Sequence, residues 1–369
     1  MPNLDGTGQM RMHKIAEGWI ETESPLTYHG WPTLCHVGGG RLLAVCSGGR
    51  ERHVCPFGRV YLYESSDGGV TWSAPRILSH GPLDDRDAGI VMAADGSLIV
   101  NWFTGISFLD HYGADDLPEN WRRAEEAVKL SELRRELGFF MIRSVDGGRT
   151  WSEKMPAPVN NVHGPTLLRD GSLLWVGRNR GKVSASGCGN LVAAYRSCDH
   201  GVTWELESVL PTVPGIPHRN WFEIHTVQDP ETGMICTQIR MQPDQTPIGD
   251  VSIWQTEAWE DNHARIWTAP HFVCNGHPPH LLALADGRLL MTYGWRRPGF
   301  GVRARVSVKR GNYLWWSDEV ILCDQADNLD VGYPSTVQLP DGSLVSLWYQ
   351  YRESAGVASL HWLKWTLED

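Results

Sequence analysis

No stretch of this 369-residue sequence approaches the roughly 18 consecutive apolar residues that a membrane-spanning helix requires. Helical membrane insertion therefore drops out of the function classes. The first residues, MPNLDGTGQMRMHK, lack the apolar core of a secretory leader, so a cytoplasmic protein is expected; a secreted or periplasmic chain trimmed of its leader would read the same way. Cysteines at C-x-x-C spacing are missing too. Cys35, Cys46, Cys55, Cys188, Cys198, Cys236, Cys274 and Cys323 are scattered without zinc-finger spacing, and read as reduced, mostly buried thiols. Positive charge is the scarcer sign: 33 Lys and Arg stand against 43 Asp and Glu, a net charge of −10. With no basic run either, nucleic acid and anionic membrane are excluded as expected partners.

Tryptophan, by contrast, is abundant, with 18 copies. Its flat apolar face suits packing between sheets and stacking against sugar rings, and more than half of the 18 are expected in the core. Several lie in a repeat. SSDGGVTW (Ser65 to Trp72), SVDGGRTW (Ser144 to Trp151) and SCDHGVTW (Ser197 to Trp204) all fit S-x-D-x-G-x-T-W. That pattern predicts a tight turn in which the aspartate accepts backbone N–H groups, the glycine takes positive φ and the tryptophan packs beneath the loop. The repeat resembles the Asp-box (BNR repeat) of the sialidase superfamily of β-propellers. The resemblance implies that the boxes lie on the outer rim and are structural, so Asp67, Asp146 and Asp199 are not expected to be catalytic.

A second repeat, a hairpin turn leading into an apolar run, occurs as GGRLLAV from Gly39, DGSLIV from Asp95, DGSLLW from Asp170, TGMICT from Thr232, DGRLLM from Asp286 and DGSLVS from Asp341. Six copies predict an all-β, six-bladed propeller of about 61 residues per blade, forming a single domain over 1–369. Degenerate boxes are expected at NHARIWTAP (Asn262 to Pro270) and RGNYLWWSDE (Arg310 to Glu319). One inserted segment breaks the repeat. Leu117 to Gly138, rich in Glu, Arg, Lys, Leu and Ala and opened by Pro118, predicts a helix that caps a blade edge, covers the site or meets a second copy. Met10 to Ile20 is expected to pair with Leu360 to Thr366 and close the ring.

In a propeller the inner strands converge on one funnel, so residues distant in sequence meet at their starts. These starts read YHGWPTL from Tyr28, DDRDAGIVM from Asp84, VHGPTLL from Val162, FEIHTVQ from Phe222, GHPPHLL from Gly276 and VGYPSTVQ from Val331. The ends of the following strands add SGGRERH, GRNR, TQIR and YGWRR. Clustering so many cations costs self-repulsion unless carboxylates or a bound anion offset it, which points to an acidic ligand.

Against sialidases, Tyr333 in GYPST resembles the nucleophile tyrosine, Glu223 in NWFEIH the glutamate that activates it, Arg240 the second carboxylate-binding arginine and Arg303 in GVRARVS the third, with Arg305 the alternative. The resemblance implies a Tyr-nucleophile glycosidase. Two positions depart from the family pattern. Gly30-Trp31-Pro32 stands where R-I-P would supply the first arginine, and GRERHVCPFG lacks the proton-donating aspartate. Asp85, Arg86 and Asp87 at the second strand start could supply a replacement acid and a replacement arginine; of the acids Asp85 or His53 is the expected proton donor, and Arg52 and Arg86 are the expected substitutes for the arginine. His163, His225 and His277 stand at strand starts as expected ligand contacts, with His280 deeper in its strand.

The expected activity is exo-hydrolysis of a terminal acidic sugar from a glycan, with no cofactor and no metal, since no local ligand spacing joins the histidines. A uronate lyase working by His/Tyr β-elimination is the rival, and a glycan-binding propeller without catalysis the third reading. Oligomeric state leaves no mark on the sequence.

Overall fold

Glycine takes the left-handed conformation that the repeated hairpin turn demands in all six copies, with φ of 58° at Gly39, 81° at Gly96, 82° at Gly171, 74° at Gly233, 86° at Gly287 and 86° at Gly342. Each turn joins an inner strand to the next one out. The computed structural model describes residues 10–21, 26–79, 81–108, 118–129, 136–179, 191–259, 264–310 and 313–368. Over these residues the chain is a ring of antiparallel sheets, a β-propeller arrangement. Four sheets stand alone: Asp84–Met92 through Met155–Pro156, Thr166–Leu167 through Glu205–Val209, Trp221–Gln228 through His271–Asn275, and the five strands from Pro279–Ala283 to Val320–Cys323.

Four separate blades, not six, is therefore the count of self-contained sheets. The rest of the chain forms one eight-stranded sheet, in which Val331–Gln338, Leu344–Arg352 and Val357–Glu368 continue into Tyr28–His36, Leu42–Arg50, Arg59–Ser65 and Arg76–Ile77. The fusion has a local cause. Tyr28 pairs in parallel with Ala358, and the Ala358 N–H donates to the Thr27 carbonyl over 2.9 Å, bridging the first repeat to the last. Arg11–Ile20 adds to the same sheet, pairing antiparallel with the last strand from Arg11↔Glu368 to Ile20↔Leu360, so the chain's two ends close the ring as expected.

The three S-x-D-x-G-x-T-W turns share one hydrogen-bond pattern. Asp67 Oδ1 accepts from the Val70 and Thr71 N–H groups over 3.0 Å each, Asp67 Oδ2 from the Thr71 hydroxyl over 2.6 Å, and the Gly69 N–H donates to Ser65 Oγ over 2.9 Å. Asp146 and Asp199 repeat this. Of the two degenerate copies, the second has Tyr313–Trp316 as a strand paired with Gly301–Arg310, with residues 311 and 312 outside those described. The first runs partly through residues outside those described.

Hydrophobic clusters fill the spaces between neighbouring sheets, and nine of the 18 tryptophans are buried, half where a majority was expected. The seven described cysteines are all unpaired; Cys188 lies outside the described residues.

The expected helix is described over Glu119–Lys129, shorter than Leu117 to Gly138, the remaining positions lying partly outside the described residues. It is docked. Trp121 is fully buried among Val54, Cys55, Leu83 and Phe108, and its indole N–H donates to Glu51 over 2.8 Å, while Asn120 bonds the same carboxylate over 2.9 Å. The helix thus clamps the loop after Leu42–Arg50, the loop that carries His53.

Candidate active site

The inner strands are not regular ladders. Pairing skips between Gly30 and Thr33, between Arg86 and Gly89, and between Gly332 and Ser335, and at each skip a non-glycine residue adopts positive φ: Trp31 at 56°, Asp87 at 54° and Tyr333 at 55°. A bulge re-aims a side chain, and a bulky residue held in this region costs on the order of 1 kcal/mol or more, so the surrounding fold must enforce it. Three neighbouring repeats therefore turn one side chain each out of the ladder. A fourth irregularity, between Trp221 and Ile224, holds Glu223.

Tyr333 and Glu223 meet. The Tyr333 hydroxyl donates to Glu223 Oε1, and Arg240 Nη1 donates to both Glu223 oxygens at 3.0 Å. Burial works to raise the Glu223 pKa, but the Arg240 charge and the Tyr333 hydrogen bond outweigh it and hold the carboxyl below its ordinary value. Burial, with the negative charges of Glu223 and Asp87, pushes the Tyr333 phenol well above 10. The resting pair is therefore a neutral phenol donating to a carboxylate, a nucleophile already joined to its base.

Arginine converges here as well. Arg296 lies over the Tyr333 ring at 5.9 Å, its Nε donating to the Val331 carbonyl and its Nη2 to Tyr349 Oη, both over 2.9 Å. His277, 1 % exposed, feels both Arg240 and Arg296, and burial first and then those charges hold its pKa well below 6.5. It is a neutral group between two cations. Trp31, which replaces the first arginine, carries guanidinium groups on its ring: Arg86 at 4.4 Å and Arg50 at 5.0 Å. Arg50 is spoken for by a buried ion pair with Asp84. Arg86 reaches that carboxylate only at 4.0 Å and Ser107 at 3.4 Å, and its Nε has no hydrogen-bond partner.

His53 stands beside Trp31, ring centroids 5.0 Å apart, with its Nδ1 3.0 Å from Asp330 Oδ1 and 2.6 Å from Tyr28 Oη. Asp330 also accepts from Tyr28 and Tyr349, which links His53 through Tyr349 to Arg296. Burial raises the Asp330 pKa, yet the hydrogen bond from His53, its charge and the two tyrosines win and lower it. Burial also lowers the His53 pKa, against the pull of Asp330, so its ring is neutral at neutral pH. Its Nε2 has no hydrogen-bond partner among the described residues, and 41 % of the side chain is exposed.

Next to these groups a cavity of about 270 Å³ opens, lined by Asp87, Glu223, Phe222, Arg178, Asn161 and the rings of Phe103 and Phe139 among others. Phe222 is flanked by two cations, Arg178 at 5.2 Å and Arg240 at 5.3 Å. One acidic side chain on the wall, Asp87, is raised to about 7 by burial, with Glu223 and Asp84 adding to the rise and Arg86 and Arg50 opposing it.

Tyr333, Glu223, Arg240, Arg86, His53 and His277 are thus brought to one mouth, while five expected residues are not. Asp85 is 2 % exposed and takes the Thr104 hydroxyl over 2.6 Å; strand alternation turns it to the face opposite Asp84 and Arg86, so it is no proton donor for this cavity. Arg52 stacks on the helix, 5.6 Å from the Trp121 ring. Arg303 gives its guanidinium to the carbonyls of Val302 (3.2 Å), Gly299 (2.7 Å) and Cys323, and Arg296, not Arg303, faces Tyr333. His163 and His225 pack with His280, ring centroids 4.5 to 4.9 Å apart, in a buried cluster whose Nδ1 atoms turn to Thr33 Oγ1, the Leu281 N–H and the Thr336 N–H. Among the described residues no group of three His, Cys, Asp or Glu is arranged to hold a metal ion.

Arg296 and Asp330 were missed at the sequence level, where Asp87 stood only as one of three neighbours, with Asp85 and Arg86, that could replace the absent acid and arginine. Trp31, Asp87 and Tyr333 occupy one column when GWPT, RDAG and GYPS are aligned, and that column is the signal that marks Asp87.

No family model matches the chain, and no curated protein does. Solved structures do match. A protein of unknown function from Dyadobacter fermentans DSM 18053 superposes with a TM-score of 0.74 at 18 % identity, over 97 % of this chain and 99 % of that one. A mutant of the NanB sialidase from Streptococcus pneumoniae gives 0.67 at 14 %, over 94 % and 70 %. The intramolecular trans-sialidase from Ruminococcus gnavus, in complex with oseltamivir carboxylate, gives 0.58 at 13 %, over 93 % and 94 %. The shared property is the fold, a sialidase-type β-propeller.

Proposed function

We propose that this protein is an exo-acting glycoside hydrolase that removes a terminal acidic sugar from a glycan, with Tyr333 as nucleophile and Glu223 as its base. The observation that carries the reading is the hydrogen bond from the Tyr333 hydroxyl to a Glu223 carboxylate kept ionised by Arg240. A phenol is a poor nucleophile while it keeps its proton, and a carboxylate already in contact accepts that proton as the Tyr333 oxygen bonds to the anomeric carbon. Arg240 and Arg296 bind the sugar's acid group from one side. Arg86, held on the Trp31 ring, supplies the third cation from the second repeat in place of the arginine missing from the first. In this reading the eight-stranded sheet counts as two blades, so that six repeats of one domain surround the site, and the S-x-D-x-G-x-T-W turns are Asp-boxes remote from the chemistry.

His53 favours a second reading. A histidine oriented through Nδ1 by a carboxylate, in a side chain that is partly exposed, is also the arrangement a uronate lyase needs for proton abstraction. The two chemistries leave different products. Hydrolysis of acidic oligosaccharides releases a reducing sugar with no new ultraviolet band, whereas elimination creates a conjugated double bond that absorbs in the near ultraviolet. Tyr333→Phe is expected to lower kcat of the hydrolysis at least about 1,000-fold while ligand still raises Tm. Wild-type turnover in that variant removes Tyr333 from the mechanism.

A further inference from the structure

The pair Tyr333 and Glu223 accounts for attack but leaves the departing oxygen without a proton source. Asp85 points away from the cavity, and His53 is neutral with its Nδ1 committed to Asp330. Asp87 meets the requirements of place. It occupies the same bulged, positive-φ position in the second repeat that Tyr333 occupies in the last, and its backbone N–H is anchored to Ser47 Oγ over 3.0 Å. Its carboxyl lines the cavity together with Glu223, and its Oδ1 is buried with no hydrogen-bond partner. Among the described residues no cation forms an ion pair with it: Arg50 is taken by Asp84, and Arg86 is turned onto Trp31.

From this geometry we infer that Asp87 is the proton donor to the leaving group, an inference that rests on the Tyr333 hydrolase reading. As Tyr333 Oη bonds to the anomeric carbon, its proton passes to Glu223, the glycosidic C–O bond breaks, and the Asp87 proton moves to the departing oxygen. In the return step the Asp87 carboxylate takes a proton from the attacking water. That water's oxygen bonds to the anomeric carbon while Tyr333 leaves and regains its proton from Glu223. The charges around Asp87 suit both halves: Glu223 and Asp84 on one side of the balance, Arg86 and Arg50 on the other, with Arg178 on the cavity wall. Two carboxyls in one cavity are thereby driven apart, Glu223 down by Arg240 and Asp87 up to about 7 by burial, the separation that assigns one as base and the other as acid.

The test compares two substrates bearing the same acidic sugar, one linked to a second sugar and one to a dinitrophenol that departs without a proton. In Asp87→Asn, kcat for the sugar-linked substrate is expected to fall about 100-fold or more, while kcat for the aryl substrate stays within about 10-fold of wild type. The loss of kcat/KM above about pH 7, where Asp87 gives up its proton, is expected to vanish in the variant. Equal losses on both substrates, or a retained alkaline limb, overturn the inference, as does a substrate-selective loss in His53→Gln with none in Asp87→Asn. Tyr333→Phe, inactive on both substrates, is the control that separates the two levels. If it stays active, the hydrolase reading fails whatever Asp87 does.

Discussion

At the scale of single residues, the mouth is defined by who holds whom. Glu223 is ionised because Arg240 Nη1 donates to both of its oxygens, and Tyr333 remains a phenol because burial, foremost, and the neighbouring Glu223 and Asp87 oppose its ionisation. Arg240 was legible in the sequence through the resemblance, which pairs a glutamate with an arginine on the next strand, and the hairpin sets the two side chains together. The third arginine was not. Arg296 directly follows the strand Leu289–Trp295 and Arg303 lies on the strand paired with it, and only the structure shows that Arg303 spends its donors on carbonyls while Arg296 faces Tyr333. Replacing each separates the roles. Arg296→Lys keeps charge but loses the planar fork and is expected to raise KM for an acidic substrate about 10-fold, whereas Arg303→Ala is expected to lower Tm and leave KM within about two-fold. Steady-state kinetics with parallel melting curves check both, and a KM shift confined to Arg303→Ala would reverse the assignment.

Among elements, the box turns were read from sequence down to their hydrogen bonds, because the signal is local and every partner lies within four residues. The degenerate copy at Arg310 to Glu319 keeps its aromatics, Trp315 and Trp316, in a short strand paired with the end of Gly301–Arg310. The box aspartates make a prediction of their own. Burial is the largest single influence on Asp67 and opposes its ionisation, but the Thr71 hydroxyl, the Ser65 hydroxyl and the backbone N–H groups together outweigh it and lower its pKa to about 2; the Thr150 hydroxyl is foremost in lowering that of Asp146. A folded-state pKa below the unfolded value stabilises above the ordinary carboxylate range, and that contribution is lost as pH falls through the folded value. Asp146→Ala is therefore expected to lower Tm by a few degrees at pH 7 and by progressively less towards about pH 2, with kcat of the folded protein unchanged. A selective loss of kcat at unaltered Tm would place Asp146 in the chemistry. The helix was legible as a helix, yet its docking was not: Trp121 is held by Glu51 through a contact spanning 70 positions of chain, and no local pattern encodes that.

Over the whole molecule, repetition made the architecture readable. Six hairpin turns and three boxes are the residue of one supersecondary unit used around a ring, and the closing strand Arg11–Ile20 was found where the chain's end needed an outer partner. Fusion of the first and last repeats through Tyr28 and Ala358 was not readable, because a single parallel pair leaves no mark on hydrophobic pattern. The ring also explains why the mouth takes residues from such distant segments: Trp31, Asp87, Glu223, Arg296 and Tyr333 come from different repeats and meet only because the inner strands converge.

The account stands on Tyr333 attacking the anomeric carbon, and covalent trapping tests that step most directly. The protein would be incubated with an acidic glycosyl fluoride carrying a second fluorine next to the anomeric carbon, which slows hydrolysis of a glycosyl–enzyme, and then digested and mapped by mass spectrometry. The expected result is one added sugar on the peptide containing Tyr333 and none in Tyr333→Phe. An adduct on another side chain, or turnover of acidic oligosaccharides to products absorbing in the near ultraviolet with no adduct at all, would contradict it.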